Sequence, residues 1–168
     1  MTTSHLQPRR PEDSATETVH VVLPNDANPS GFMLGGSVMH LIDLAGAIAS
    51  HRHTRSRVVT ASVDSVEFLH PVKVGDLLIL RSRVTCAFHT SLEVEVEVVS
   101  EESLTGTRRL TSRAFLTFVG VDERGCPTQI PPLLVESVDD THRAETARAR
   151  RAQRLEARGQ LTSDNFSL

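Results

Sequence analysis

Residues 91–99 read SLEVEVEVV, and no other stretch constrains the fold as strongly. Leu92, Val94, Val96 and Val98 fall on one side of an extended chain, while Glu93, Glu95 and Glu97 fall on the other. Apolar and charged residues alternating with a period of two describe an antiparallel strand with one dry and one wet face. Three neighbouring stretches share this character. RVVTASVDSVEFLH (57–70) alternates until it slips near Asp64, which predicts a bulge. LLILRSRVTCAF (77–88) and TRRLTSRAFLTFVGV (107–121) supply two more long strands. HPVKVGD (70–76) connects the first of these to the second, and a short strand, VHVVL (19–23), is stopped by Pro24.

Before the long strands the period changes. Between Gly36 and His51, Val38, Leu41, Ile42, Ala45, Ile48 and Ala49 recur at i, i+3, i+4, the spacing of one face of a helix about 24 Å long. The opposite face carries Gly36, His40, Asp43, Ala47 and Ser50. One helix followed by a run of strands argues for an α+β fold with an antiparallel sheet, and against a doubly wound one. A single helix covers only one face of such a sheet. The other face or an edge therefore needs a partner, and a homo-oligomer is expected.

A chain of 168 residues suits one domain. With six Phe and neither Trp nor Tyr, the core must be aliphatic. A net charge of −3 provides no general basic field, so no nucleic-acid partner is expected. Cys86 and Cys126 lack metal-ligand spacing, and reduced thiols suit a cytoplasmic protein. Residues 1–18 are polar, lack the apolar run of a signal peptide and are expected to be disordered. No stretch approaches the ~18 apolar residues of a membrane span, so no membrane association is expected. The folded domain is placed at 19–137, and 138–168 forms a charged C-terminal helix and tail. There Asp139 and Asp140 stand near the start and five Arg fall between 148 and 158, an order that suits the helix dipole. With few apolar anchors, it reads as a solvated helix; a subunit contact or a site for anions is the alternative.

The chemistry concentrates in NDANPSGFMLGGSVMHLIDLAGA (25–47), where a polar loop enters an almost uncharged helix that keeps one carboxylate, Asp43. Gly35 and Gly36 at the helix start leave backbone N–H groups open, and the dipole adds positive charge there. A carbonyl oxygen developing negative charge is stabilised at such a place. Asp43, about two turns on and near the face of Gly36, can serve as general base on water or as nucleophile. By spacing alone, Asp43 reads equally as an ordinary exposed helix residue. His40 could pair with it at i, i+3. The eight His are scattered and HRH (51–53) has no Cys or carboxylate at useful spacing, so no metal is expected. His51, Arg52, His53, Arg55 and Arg57 form a basic run at the helix end. It either complements the dipole or attracts phosphates.

NDANPSGFMLGGSVMHLIDLAGAIASHRH followed by VVTASVDSVEFLHPVKVGD, with SLEVEVEVVSEESLTGTRRLTSRAFLTFVGVD and IPPL further on, resembles the cytosolic acyl-CoA hydrolases of the hotdog superfamily. The resemblance covers roughly residues 19–135, with the blocks in order. It implies a long central helix wrapped by a five- to six-stranded antiparallel sheet, with dimers joining their sheets and commonly assembling as trimers of dimers. It implies that Asp43 is catalytic and that Asn28, in a run resembling D-x-N-x-x-G, assists. Gly35 and Gly36 would polarise the thioester carbonyl, with Thr60 and Ser91 among the substrate contacts. Arg55, Arg57 and His89 would lie near the CoA phosphates. No cofactor is expected, since CoA belongs to substrate and product. Two departures stand out. FMLGG makes the loop before the helix more apolar, and the turn FHTS (88–91) has only His89 where relatives often carry Lys or Arg. The expected activity is hydrolysis of acyl-CoA by water activated at Asp43. A non-catalytic acyl-CoA-binding module is the alternative, and a hydratase would need a His–Asp dyad for which His40 is the only hint.

Overall fold

The computed structural model describes residues 6–164. In chain order it contains α1 (Pro11–Ser14), β1 (Thr16–Val21), α2 (Gly35–Thr54), β2 (Arg57–Phe68), β3 (Leu77–Ala87), β4 (Ser91–Glu101), β5 (Arg108–Val121) and α3 (Val138–Asp164). The five strands form one antiparallel sheet in the order β1-β3-β4-β5-β2. The expected α+β architecture is present.

The inward rows follow the alternation of the sequence. Leu92, Val94, Val96 and Val98 on β4 are fully buried and join Leu78, Leu80 and Val84 of β3 and Ala114, Leu116 and Phe118 of β5. Onto this face packs α2 through Val38, Ile42, Ala45 and Ala49. Gly46 allows the approach: a Cβ there would stand 2.9 Å from the Phe118 ring. Leu41 and Ile48 contribute less than their spacing suggests, since Ile48 is exposed. Ser50, expected on the polar face, is fully buried and donates its hydroxyl to the Gly46 carbonyl at 2.8 Å. The helix begins one residue earlier than expected and continues to Thr54.

The predicted slip in β2 is real. Register shifts fall between Thr60 and Ser62 and between Val63 and Ser65, so Asp64 is the extra residue of the second. Two insertions restore the phase, which lets Val58 and Val66 both pack against the core.

Two expectations are overturned. Residues 6–18 are not disordered: Pro11–Ser14 is helical and β1 starts at Thr16, pairing with Ser82. This segment is held by backbone bonds, Arg9 N–H donating to the Pro132 carbonyl at 3.0 Å and Leu134 N–H to the Arg9 carbonyl at 2.8 Å. The first five residues of that expected disordered stretch lie outside the described residues. The second correction concerns the outer face of the sheet. It is only partly wet, because α3 lies across it diagonally, while Arg81 and Arg113 on the same face stay about half exposed. Asp140 pairs with Arg83 of β3, Arg143 with Glu95 and Arg150 with Glu93 of β4, and Arg154 with Asp64 of β2. Glu93 is 1% exposed. Ala144 and Ala147 pack with Cys86 beneath the helix, and Arg150 stacks on the Phe115 ring at 3.6 Å. The helix expected to be solvated thus docks through ion pairs around a small apolar contact.

Candidate active site

Asp43 stands half-buried on α2, turned toward β2. Thr60 Oγ1 donates to its Oδ1 at 2.7 Å. Thr60 lies beside the first bulge of β2, on the same side of the strand as Val58, so its hydroxyl faces the helix. Oδ2 makes no hydrogen bond among the described residues. His40 does not pair with Asp43, which removes the only hint of a hydratase dyad. Around the Asp43–Thr60 pair the surface is apolar and open: Met39, Leu44 and Ile48 on α2 and Val59 and Val63 on β2 are each more than a third exposed. β2 is an edge strand.

The start of α2 is uncapped. Leu34 holds the N-cap position and offers no side-chain acceptor, and the first helical bond is Val38 N–H to the Leu34 carbonyl. The N–H groups of Gly35, Gly36 and Ser37 therefore stay available. A Cβ on Gly36 would meet nothing within 4 Å, and one on Gly35 would touch the Phe68 ring at 3.4 Å. The space over these amides is left open by the missing side chains. Gly35 and Asp43 are separated by about 12 Å along the axis. The Cβ of Asp43 leans toward the helix start and shortens that gap.

Asn28 organises the loop before α2. Its Oδ1 accepts the N–H groups of Ser30 at 2.9 Å and Phe32 at 3.2 Å, an Asx arrangement that frees Nδ2 as a donor. The loop is tied to β1, where His20 Nε2 and the Leu23 N–H meet Asp26 Oδ2 at 3.0 and 2.9 Å. The His20 contact, then that of Leu23, holds the Asp26 carboxyl below its ordinary range. Asn28 thus belongs to a loop fastened at the β1 edge, whereas Asp43 faces β2 at the other edge.

The structure divides the expected site residues between two rims. Gly35 and Gly36 lie at the rim where Phe68 ends β2. Ser91 begins β4, and Arg55, Arg57 and His89 sit at the opposite rim, beyond Thr60. Of the basic run, three members are used structurally. His51 Nδ1 meets the Ser56 carbonyl, Arg52 donates to the Ala15 carbonyl, and His53 is buried against the Pro131 carbonyl. His51 and Arg52 are exposed but engaged by these bonds, and Arg55, in the left-handed conformation at φ 52°, and Arg57 are exposed as well. Phe88 N–H closes the FHTS turn on the Ser91 carbonyl at 2.7 Å, leaving His89 exposed.

Two open cavities flank the helix start. One of about 350 Å³ is lined by Met33, Gly35, Val38, Phe68, Pro71 and Ser112 among others. The second, about 410 Å³, is lined by His20, Asp26, Met33, Gly36, Ser37, His40 and Leu41. The sequence reading missed the His20–Asp26 pair and Ser112. A hydroxyl in the inward row of β5, otherwise Ala114, Leu116 and Phe118, was the available signal. No group of metal-ligating residues occurs among the described residues. Among the described residues, no helix is long and apolar enough to cross a membrane.

An antiparallel sheet wrapped on one long helix, with a carboxylate on that helix and bare amides at its start, is the hotdog arrangement of thioesterases. The thioesterase superfamily model matches residues 30–107. An uncharacterized acyl-CoA thioester hydrolase of Bacillus subtilis is 39% identical over 133 residues, covering 79% of this chain and 77% of the relative. A hexameric acyl-CoA thioesterase superposes with a TM-score of 0.86 at 41% identity, covering 90% of this chain and 97% of that one. A Staphylococcus aureus acyl-CoA hydrolase, solved in complex with butyryl coenzyme A, coenzyme A and coenzyme A disulfide, gives 0.85 at 31% identity over 95% and 99% of the two chains. The mammalian cytosolic acyl coenzyme A thioester hydrolases are longer, and the chain spans 39% of their length. The chain belongs to the acyl-CoA thioester hydrolases of the thioesterase superfamily.

Proposed function

We propose that the protein hydrolyses acyl-CoA to a free carboxylic acid and CoA, with Asp43 as general base. The observation that carries this reading is the Thr60–Asp43 hydrogen bond, which fixes one carboxylate oxygen and leaves the other for water. Water held at Oδ2 loses its proton to Asp43 as its oxygen bonds to the thioester carbon. The charge arriving on the carbonyl oxygen is met by the N–H groups at Gly35 and Gly36. Collapse of the tetrahedral intermediate breaks the C–S bond, and CoA leaves as thiolate. General-base action of this kind contributes about 10²–10⁴-fold. No cofactor enters the reaction.

The apolar, exposed surround of Asp43 and the unpaired edge of β2 support a dimer as the active unit. Two copies joined there would bring the Asn28 Nδ2 of one toward the Asp43 of the other and continue the two sheets as one. Three such dimers would make a hexamer, the state of the hexameric relative. Arg55, Arg57, His89 and Ser91 would receive the CoA phosphates at the far rim. Cys86 and Cys126 are both free thiols, which agrees with a cytoplasmic setting.

The test is release of free CoA thiol from a panel of acyl-CoAs by the wild type and Asp43→Ala. Hydrolysis by the wild type, lost in a folded variant, supports the proposal. Binding of acyl-CoA by both without hydrolysis by either would make the protein a binding module instead.

A further inference from the structure

The inner face of the sheet carries two serines at strand positions that otherwise hold aliphatic or aromatic side chains. Ser82, among Leu78, Leu80 and Val84, donates its hydroxyl to the Ala45 carbonyl of α2 at 2.8 Å. Ser112 continues the row Ala114, Leu116 and Phe118 and is 1% exposed, yet its hydroxyl makes no hydrogen bond among the described residues. Ser112 lines the cavity of about 350 Å³ that also touches Gly35.

The position of that hydroxyl is set by the strands. Ser112 is opposite Phe68 in the β2–β5 ladder, and the Phe68 ring reaches to within van der Waals distance of Gly35. A register shift at Thr111 interrupts β5 beside it, and the Thr111 hydroxyl is already donated to the Val98 carbonyl at 2.9 Å. The remaining walls are Met33, Val38, Leu69, Pro71 and Val72, with His70 as a further polar residue. The cavity is therefore open and mainly apolar, with the unpaired Ser112 hydroxyl deep in its wall and the exposed His70 beside it, at the small end of the 300–1,000 Å³ range roughly typical of ligand sites.

We propose that this cavity receives the acyl group and that Ser112 selects short acyl chains bearing a hydroxyl substituent. The inference rests on the thioesterase reading, because the amide of Gly35 at the cavity wall is what would hold the carbonyl. The acyl chain runs from Gly35 past Phe68, and a hydroxyl on the chain meets the Ser112 Oγ as donor or acceptor. An unsubstituted chain leaves that oxygen unpaired or wet. Sites built to hydrogen-bond a substrate hydroxyl discriminate against the analogue lacking it. Ser112→Ala would remove the discrimination without touching Asp43, Thr60 or the helix start.

The experiment compares 3-hydroxybutanoyl-CoA with butanoyl-CoA, and 6-hydroxyhexanoyl-CoA with hexanoyl-CoA. Both the wild type and Ser112→Ala are assayed for CoA thiol release. In parallel, the non-hydrolysable thioethers of the same four chains are titrated by calorimetry. A preference of about tenfold in kcat/KM for one hydroxylated chain, falling to near unity in Ser112→Ala while the plain chain is hydrolysed as well or better, is the expected result. Hydrolysis with the same ratio in both proteins overturns the role of Ser112 and leaves the thioesterase standing. Absence of hydrolysis together with Ser112-dependent thioether binding overturns the thioesterase and keeps the pocket. Absence of both overturns both.

Discussion

Thr60 and Asp43 are joined by a hydroxyl-to-carboxylate hydrogen bond of 2.7 Å that ties an edge strand to the middle of the central helix. A bulge immediately follows Thr60, so the strand bends where its side chain meets the acid. The bond orients the carboxylate and leaves Oδ2 without a hydrogen bond among the described residues. Asp43→Asn should lower kcat by about 10²–10⁴-fold. Thr60→Ala should lower kcat about tenfold with little change in KM, and Thr60→Ser should restore most of it, because the donor rather than the methyl matters. Steady-state CoA release by the three variants checks the order, and equal activity of Thr60→Ala and wild type would remove Thr60 from the site.

Asp43, Gly35 and Gly36 are legible because a carboxylate and a glycine pair are conspicuous on an uncharged helix. The strands are legible because β4 alternates so strictly. Thr60 lies in a strand whose phase slips twice, so only the resemblance, and not its position, pointed to it. The outer face misleads for a physical reason. Glu93 and Glu95 look like solvent residues until Arg150 and Arg143 on α3 are set against them. The matching signs lie some fifty residues apart along the chain, beyond the reach of local periodicity. Ser112 was hidden because nothing in its row says whether a hydroxyl will find a backbone partner, as Ser82 does.

The Glu93–Arg150 pair offers a stability test of the α3 docking. Glu93 is 1% exposed and is met by Arg150 through Nε at 3.0 Å and Nη2 at 2.7 Å. Arg150→Ala would leave a buried carboxylate without its cation and remove the ring contact with Phe115, at a cost of about 3–5 kcal/mol. Replacing both residues, as Glu93→Leu with Arg150→Leu, should recover most of that loss, since no charge is then stranded. Urea unfolding of the single and double variants measures the difference. A double variant as unstable as Arg150→Ala would mean that packing of α3, and not the ion pair, holds the outer face.

His53 makes stability depend on pH. Its ring is fully buried, Nε2 bonds the Pro131 carbonyl at 2.9 Å and Nδ1 has no partner. Burial lowers its pKa; the Pro131 carbonyl opposes this, the Arg9 charge adds to it and Asp13 opposes it. The unfolded chain takes up the proton near the ordinary value of about 6.5. The folded chain resists until a lower pH. The contribution of neutral His53 is thus complete above that ordinary value and declines as the pH falls below it, because the unfolded state then binds more protons. Urea midpoints measured from neutral to mildly acid pH should fall, and His53→Gln, which keeps a donor for Pro131, should flatten part of that slope. An unchanged slope would assign the effect to other groups.

Sharing of the site between copies can be read directly by mixing inactive variants. Asn28 sits on a loop fastened to β1 through the His20–Asp26 contact, and Asp43 faces β2 at the other edge of the sheet. If one copy's Asn28 serves its partner's Asp43, a dimer of Asn28→Ala with Asp43→Ala has one site carrying both defects and one carrying neither. Random pairing of equal amounts makes half of the dimers mixed, and each mixed dimer keeps one of two sites, so about a quarter of wild-type activity should return. Unfolding and refolding the two together, against each refolded alone, provides the comparison. A mixture no more active than its parents would place Asn28 and Asp43 in the same copy's site, and the loop would then have to reach across α2 from the β1 edge.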